Sequence, residues 1–376
     1  MRLADLSTPS LVLDRRRLAR NTAAVTERLK RFGVALRPHM KTAKSIDVAR
    51  IATAGNFGGI TVSTLKEAEY FAGNGISDIQ YAVCITPAKL EQVAGLMRRG
   101  VRMTVLTDDL EAARAIGACG VALGARFEVL IEVDCGERRS GVMPESRALL
   151  DIGAVLHNSP GAKLMGVLTH AGHSYACRSP ADAQRVAEEE RRAAVRAAEH
   201  LRAEGLPAPV VTMGSTPTAL HGTGYDGVTE VRCGVYMFGD LFQAEIGSCA
   251  RDDIAVSVLA SVIGHRPADN RLLIDAGALA LSKDRSTEAT LHDAGFGTVL
   301  DAGGGGSLGA LTVTRVNQEH GIVTAKDPLP YDRLPVGARV RVLPNHACLT
   351  AAAYDHYEVV EGGDEVLAQW DRCNGW

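Results

Sequence analysis

Between residues 34 and 240 short apolar runs alternate with longer segments whose apolar residues recur at helical spacing. The stretches 34–38, 58–62, 79–83, 102–106, 127–133, 164–168, 209–213 and 228–233 read as strands. Several are apolar runs rich in Val and Ile, as strands covered on both faces should be. Thr64 to Ala72, Ala88 to Arg99 and the long Ala181 to Glu204 read as helices between them. Eight strands with intervening helices in roughly 200 residues predict an α/β fold closed as a (β/α)8 barrel. A doubly wound open sheet is the structural alternative; the count of eight, and the lack of a GxGxxG after the first strand, weigh against it. After about residue 250 the pattern shifts to short strands separated by turn residues. Ala255 to Ile263, Arg271 to Asp275, Leu311 to Val316, Gly321 to Thr324 and Ala338 to Leu343 predict an all-β domain. We place the barrel at 15–245 and the β domain at 246–376. Ser10-Leu-Val-Leu-Asp is a further strand, and residues 1–14 can join the second domain.

Length agrees with two domains, because 376 residues exceed one ordinary small core. A formal net charge of −3 with no basic face argues against nucleic acid as a partner. No run of 18 or more apolar residues suggests a membrane span, and the N-terminus lacks the apolar core of a signal peptide. Eight cysteines without a CxxC pair point to reduced thiols and a cytoplasmic location. The only low-complexity stretch is Gly303 to Gly306.

In a barrel the reactive groups sit at the carboxyl ends of the strands. Those ends carry Lys41, Ser63-Thr64, Asp134 to Arg139, His170, Gly214 to Thr218 and Gly234 to Tyr236. Lys41 follows a strand and precedes a helix. It can be a solvated surface charge, or a desolvated amine able to form a Schiff base. Gly214-Ser215-Thr216 opens a helical segment. Its backbone N–H groups and two hydroxyls suit a phosphate dianion, although an ordinary N-cap has the same sequence. A lysine and a phosphate cradle on one rim are what pyridoxal phosphate requires. His346 and Cys348 form a second constellation, two apart on an expected strand end, so that both face one way. Imidazole with thiolate favours zinc, with manganese or magnesium as harder alternatives. His320 is a candidate rim residue of the same site, weighed equally against a structural histidine.

Six ordered stretches carry a resemblance. They are Arg37-Pro-His-Met-Lys-Thr-Ala-Lys, Gly59-Ile-Thr-Val-Ser-Thr-Leu-Lys-Glu-Ala-Glu, Leu168-Thr-His-Ala-Gly, Gly214-Ser-Thr-Pro-Thr, Val231-Arg-Cys-Gly-Val-Tyr and Pro344-Asn-His-Ala-Cys-Leu-Thr. Together they resemble the D-serine dehydratase and D-threonine aldolase family, the metal-dependent branch of the alanine-racemase-like pyridoxal-phosphate enzymes. The resemblance covers nearly the whole chain and lies closest to the dehydratases of D-serine and D-threo-3-hydroxyaspartate. It implies an alanine-racemase-like barrel with a β domain, a head-to-tail homodimer and a small D-amino acid substrate.

By that resemblance Lys41 binds the cofactor as an imine and exchanges the proton at Cα. His170 lies against the cofactor ring, and Arg139 faces its phenolic oxygen, with Arg138 as the solvated neighbour. Tyr175, Gly234 and Tyr236 line the cofactor pocket, Tyr236 towards the phosphate held by Gly214, Ser215 and Thr216. His346 and Cys348 hold a divalent metal, most simply Zn2+. The expected reaction is loss of water from a D-3-hydroxy amino acid, giving a 2-oxo acid and ammonia. Retro-aldol cleavage to glycine and an aldehyde is the alternative; the family's aldolases usually have an aspartate where this chain has Cys348. A non-catalytic pyridoxal-phosphate carrier is the third reading, and the β domain argues against it.

Overall fold

The computed structural model describes residues 1–303 and 308–376, so most of the run Gly303 to Gly306 lies outside the described residues. Contacts divide the chain into two compact units, 24–234 with 375–376, and 1–23 with 235–374.

The first unit is a parallel barrel. Its strands are β2 (Ala35–Pro38), β3 (Ile60–Val62), β4 (Asp78–Cys84), β5 (Arg102–Thr107), β6 (Phe127–Val133), β7 (Ala162–Thr169), β8 (Val210–Met213) and β9 (Glu230–Cys233), following β1 (Ser10–Asp14) in the chain. The eight hydrogen-bond in the order β2-β9-β8-β7-β6-β5-β4-β3. A parallel bridge between His39 and Thr61, with Met40 N–H donating to Thr61 O at 2.8 Å, joins the two ends. The open-sheet alternative is thereby excluded. Around the strands run α1 (Arg15–Arg31), α2 (Ile46–Thr53), α3 (Leu65–Gly73), α4 (Leu90–Arg98), α5 (Leu110–Leu123), α6 (Arg147–Asn158), α7 (Pro180–Ala203) and α8 (Thr216–His221). Several start on side-chain caps: Thr64, Asp109, Ser146 and Ser179 each accept an N–H of the first turn. At the amino end of the strands, buried Arg37 binds Glu230 (2.9 Å) and Asp78 (2.6 Å), linking β2, β9 and β4. The polar chemistry there is closed on itself, unlike that on the opposite rim.

The second unit contains β10 (Val256–Arg266), β11 (Arg271–Ile274), β12 (Gly297–Asp301), β13 (Leu311–Val316), β14 (Gly321–Thr324), β15 (Arg339–Pro344), β16 (His356–Val360) and β17 (Ala368–Asp371). The sheet order is β11-β14-β13-β12-β15-β10-β1-β16-β17, and an added β11–β10 pairing closes its first six strands into a small barrel. Short helices α9 (Leu241–Glu245), α10 (Ala278–Leu281) and α11 (Ala347–Ala351) interrupt it. β1 lies between β10 and β16. The start of α1 stays with this unit because Arg17 donates to Ile254 O and Asn21 to Met237 O and Asp253 O. The units therefore divide at 23/24 and 234/235, where the sequence suggested 14/15 and 245/246. Among the described residues no helix is long and apolar enough to cross a membrane.

Candidate functional site

On the barrel rim β2 gives way to a turn that carries two lysines before α2. Lys44 takes a left-handed backbone (φ 49°), donates its N–H to Met40 O, and places its ammonium 3.1 Å from the fully buried Glu67 carboxylate. That salt bridge commits Lys44 to structure. Lys41 is exposed on the rim, and its backbone N–H reaches His39 Nδ1 at 3.4 Å.

His170 follows β7. Its Nδ1 lies 2.9 Å from Gly214 O. A carbonyl only accepts, so Nδ1 carries the hydrogen and Nε2 keeps a free lone pair. Burial, with the charges of Lys41, Arg139 and Arg232 acting the same way, pulls this imidazole down to about 3. His39 is held well below its ordinary value by burial and by Lys41, Arg232 and His170. These shared fields place Lys41, His39, His170, Arg139 and Arg232 around one rim. The Tyr175 ring sits 6.4 Å from that of His170, tilted by 49°.

The Gly214 to Thr216 turn divides its work. Gly214 has φ 132°, and a Cβ there would stand 2.3 Å from Arg232 O, so only glycine fits. Its N–H goes to Glu190 Oε1 (2.9 Å), which also takes Ala171 N–H (2.9 Å). Buried Glu190, reaching in from α7, thus ties the ends of β7 and β8 together. Ser215 N–H goes to Thr218 Oγ1, while Ser215 Oγ accepts Thr218 N–H and pairs with Ser174 Oγ at 2.7 Å. Its hydroxyl is the N-cap of α8. Thr216 Oγ1 is buried and has no hydrogen-bond partner in the chain. An orphaned hydroxyl costs free energy unless a ligand atom meets it, and a phosphate oxygen at this turn would do so. A Cβ on Gly234 would stand 2.8 Å from His39 O and 3.3 Å from Thr42 Oγ1, so that backbone lies against the Lys41 turn.

Arg139 is exposed, 3.8 Å from Glu132 and 3.5 Å from Glu137. Its loop is fixed from below. Ser140 Oγ donates to Glu132 (2.7 Å) and Gly141 N–H to Asp108 (2.8 Å). Cys84 Sγ donates to both carboxylates, at 3.1 and 3.2 Å. Ligand atoms of Cys84, Asp108 and Glu132 lie within 4.8 Å of one another. Burial and the two carboxylates push this thiol far up, which keeps it a protonated donor. The three act as a support under the Arg139 loop.

In the second unit His346 and Cys348 do come together, by a different route from the one expected. β15 ends at Pro344; His346 is the N-cap of α11 and Cys348 lies in its first turn. Strand alternation therefore does not set their direction. The helix start does, and three neighbours hold it. Asp240, fully buried, accepts Ala347 N–H at 2.9 Å. Asn345 donates to Thr287 Oγ1 and Gly295 O. Asp284 Oδ2 meets His346 Nδ1 at 2.5 Å. Burial opposes a charge on His346, but Asp284 and a hydrogen bond with Cys348 outweigh it and hold the imidazole up at about 11. An imidazole with its Nδ1 held by a carboxylate, next to a thiol, fits a soft divalent metal. Tyr236 is buried on a 3-10 turn, Val235–Met237, of this unit. His320 is elsewhere in it, in a groove with three arginines.

His39, Arg232, Glu190 and Asp284 were not singled out in the sequence. The first two stand inside motifs already quoted; the other two are single carboxylates in ordinary polar contexts, with nothing local to mark them.

Residues 13–241 match the family described as "Alanine racemase, N-terminal domain", and residues 255–360 match "Putative serine dehydratase domain". The chain is 47% identical to D-threo-3-hydroxyaspartate dehydratase of Delftia sp. (strain HT23), over 100% of this chain and 99% of that one. It is 30% identical to D-serine dehydratase of Dictyostelium discoideum (99% and 98%) and 30% to D-threonine aldolase of Arthrobacter sp (96% and 91%). The solved Delftia structure covers both chains fully with a TM-score of 0.96. Solved variants of D-threo-3-hydroxyaspartate dehydratase include a histidine-to-alanine form, and a cysteine-to-alanine form in the metal-free state; the two altered positions are two apart.

Proposed function

Because this chain belongs to the D-serine dehydratase and D-threonine aldolase family of alanine-racemase-fold enzymes, we propose that it is a lyase which dehydrates D-3-hydroxy amino acids. The D-threo-3-hydroxyaspartate or D-serine type of substrate fits best, with a 2-oxo acid and ammonia as products. The observation that carries the reading is the Asp284–His346–Cys348 set, a metal-ligand pair with an orienting carboxylate. A racemase needs protons exchanged at Cα only; a dehydratase must also help a hydroxyl leave Cβ.

Pyridoxal phosphate, when bound, supplies a carbonyl for the substrate amine and a sink for the electron pair at Cα. A divalent metal, most simply zinc, supplies a Lewis acid for the 3-hydroxyl. The residues do the rest. Lys41 Nζ would hold the cofactor and would take the α-proton of the substrate. Thr216 Oγ1 and its backbone neighbours hold the phosphate. His170, kept neutral, packs beside the ring without competing for its proton. Arg139 offers a cation to the phenolic oxygen. His346, through Nε2, and Cys348 Sγ hold the metal. The enamine product tautomerises to an imine, and addition of water with release of ammonia leaves the 2-oxo acid.

Eight cysteines, none in a disulfide, support a reducing compartment such as the cytoplasm, and the reading includes a homodimer, to be checked by light scattering. The test of the reaction is product analysis with a panel of D- and L-3-hydroxy amino acids. Ammonia with a 2-oxo acid from the D-isomers is expected. Glycine with an aldehyde would replace dehydration by aldol cleavage, a reading that likeness to the Arthrobacter aldolase keeps open. No turnover of any D-isomer would overturn both.

A further inference from the structure

On the outer face of the small barrel in the second unit, Arg266 of β10 stands directly opposite Arg271 of β11. Like charges paired across antiparallel strands destabilise a sheet. Arg315, on β13, shares this face: it is opposite Ile322 of β14, which in turn is opposite Leu273, two residues along from Arg271. His320, two before Ile322, extends the row. Together these side chains line a groove of about 340 Å3, with Leu273 and Ile322 as its apolar floor.

The groove lining includes no carboxylate. Asp269 binds the Arg271 guanidinium from outside it, and Glu319 is exposed in the adjoining turn. Among the described residues neither Arg266 nor Arg315 forms an ion pair, and Arg271 Nε is buried with no hydrogen-bond partner. Arg266 donates to the carbonyl of its own neighbour, His265 O, at 2.7 Å, which leaves its charge unbalanced. Three arginines line this one groove, Arg271 is offset by Asp269, and about two positive charges remain uncompensated.

We propose that this groove is a binding site for a doubly charged oxyanion of the phosphate class, with Arg266, Arg271 and Arg315 as its ligands and His320 at its margin. Guanidinium forks match phosphate oxygens in pairs. A dianion balances the surplus charge and removes the repulsion between Arg266 and Arg271. The apolar floor accepts the uncharged part of a phosphate-bearing small molecule. None of these residues belongs to the proposed lyase chemistry, so this site stands or falls independently of it.

The experiment uses the purified protein with its cofactor bound. Inorganic phosphate is titrated in by calorimetry, and melting temperature is followed in parallel, with sodium chloride holding ionic strength constant. Saturable binding and a rise in melting temperature are expected, and Arg315→Gln should weaken binding about tenfold or more. Arg266→Gln gives a test of opposite signs. Without phosphate, at low salt, it should melt higher than the parent, because the opposed charges are gone. With phosphate it should lose the increment that the parent gains. The proposal is overturned if chloride at matched ionic strength gives the same increment, which would mean screening only. It is also overturned if Arg266→Gln melts lower in both buffers, or if Arg315→Gln binds phosphate unchanged. Succinate binding without phosphate binding would replace the phosphate class by dicarboxylates.

Discussion

Asp284 Oδ2 and His346 Nδ1 stand 2.5 Å apart, on residues 62 positions apart in the chain. That contact fixes which imidazole nitrogen is available, since the one facing the carboxylate cannot also reach a metal. Asp284→Asn should therefore weaken metal binding by about 10–100-fold. Competition against a chromophoric chelator measures this directly, with circular dichroism to show an intact fold. Unchanged affinity would remove Asp284 from the metal site.

Lys41 and Lys44 offer a clean contrast. Lys44 is tied to Glu67, whereas Lys41 stands exposed on the rim. Borohydride treatment of the cofactor-loaded protein should label Lys41, and Lys41→Ala should abolish turnover. Mass spectrometry finding the label on Lys44 would overturn the assignment.

Ser215 and Thr216 are adjacent hydroxyls with different duties. Thr216→Val should lower cofactor affinity by roughly tenfold or more, corresponding to one hydrogen bond to a charged group of about 1.5–3 kcal/mol. Its fold stability without cofactor should hold or rise, because an unsatisfied hydroxyl has gone. Ser215→Ala removes a helix cap and should cost about 0.5–2 kcal/mol of stability. Equal effects of both on cofactor-free stability would deny the division.

His170 gives the protein an acid-sensitive element. Its folded value, about 3, lies below the ordinary histidine range, so protons favour the unfolded chain. The associated stability is present above about pH 6.5 and is lost as pH falls towards 3, at about 1.4 kcal/mol per pH unit. Urea unfolding of cofactor-free protein from pH 7 to 4 should show this slope, and His170→Asn should reduce it. An unaltered slope would assign acid sensitivity to other groups.

Much of the fold was legible because its signals are local. Each of the eight apolar runs in the first unit became a barrel strand, with ends shifted by a few residues. β12, β16 and β17 escaped: β12 lies in a glycine-rich stretch, and β17 is a four-residue edge strand whose apolar face is only Ala368 and Trp370, both half-buried. Lys41, His170, His346 and Cys348 could be proposed because strand ends and motif spacing mark them. Glu190 and Asp284 could not, since what makes them matter is a partner 19 to 62 residues away. His346 and Cys348 were matched to the wrong element: a cap and one helical turn can bring residues two apart together as well as a strand can.

The placement of β1 has a consequence for biosynthesis. Leu11 and Val12 pair with Val258 and Ser257, so β1, once made, must wait for more than half of the chain before it finds its neighbour. The barrel can close during that interval, because its strands follow one another in order; the second unit cannot. A fragment starting at residue 235 would present β10 and β16 with bare edges where β1 belongs. Such edges are templates for self-association. Soluble expression of the second unit by itself should therefore depend on grafting residues 1–23 back onto it, most simply by circular permutation.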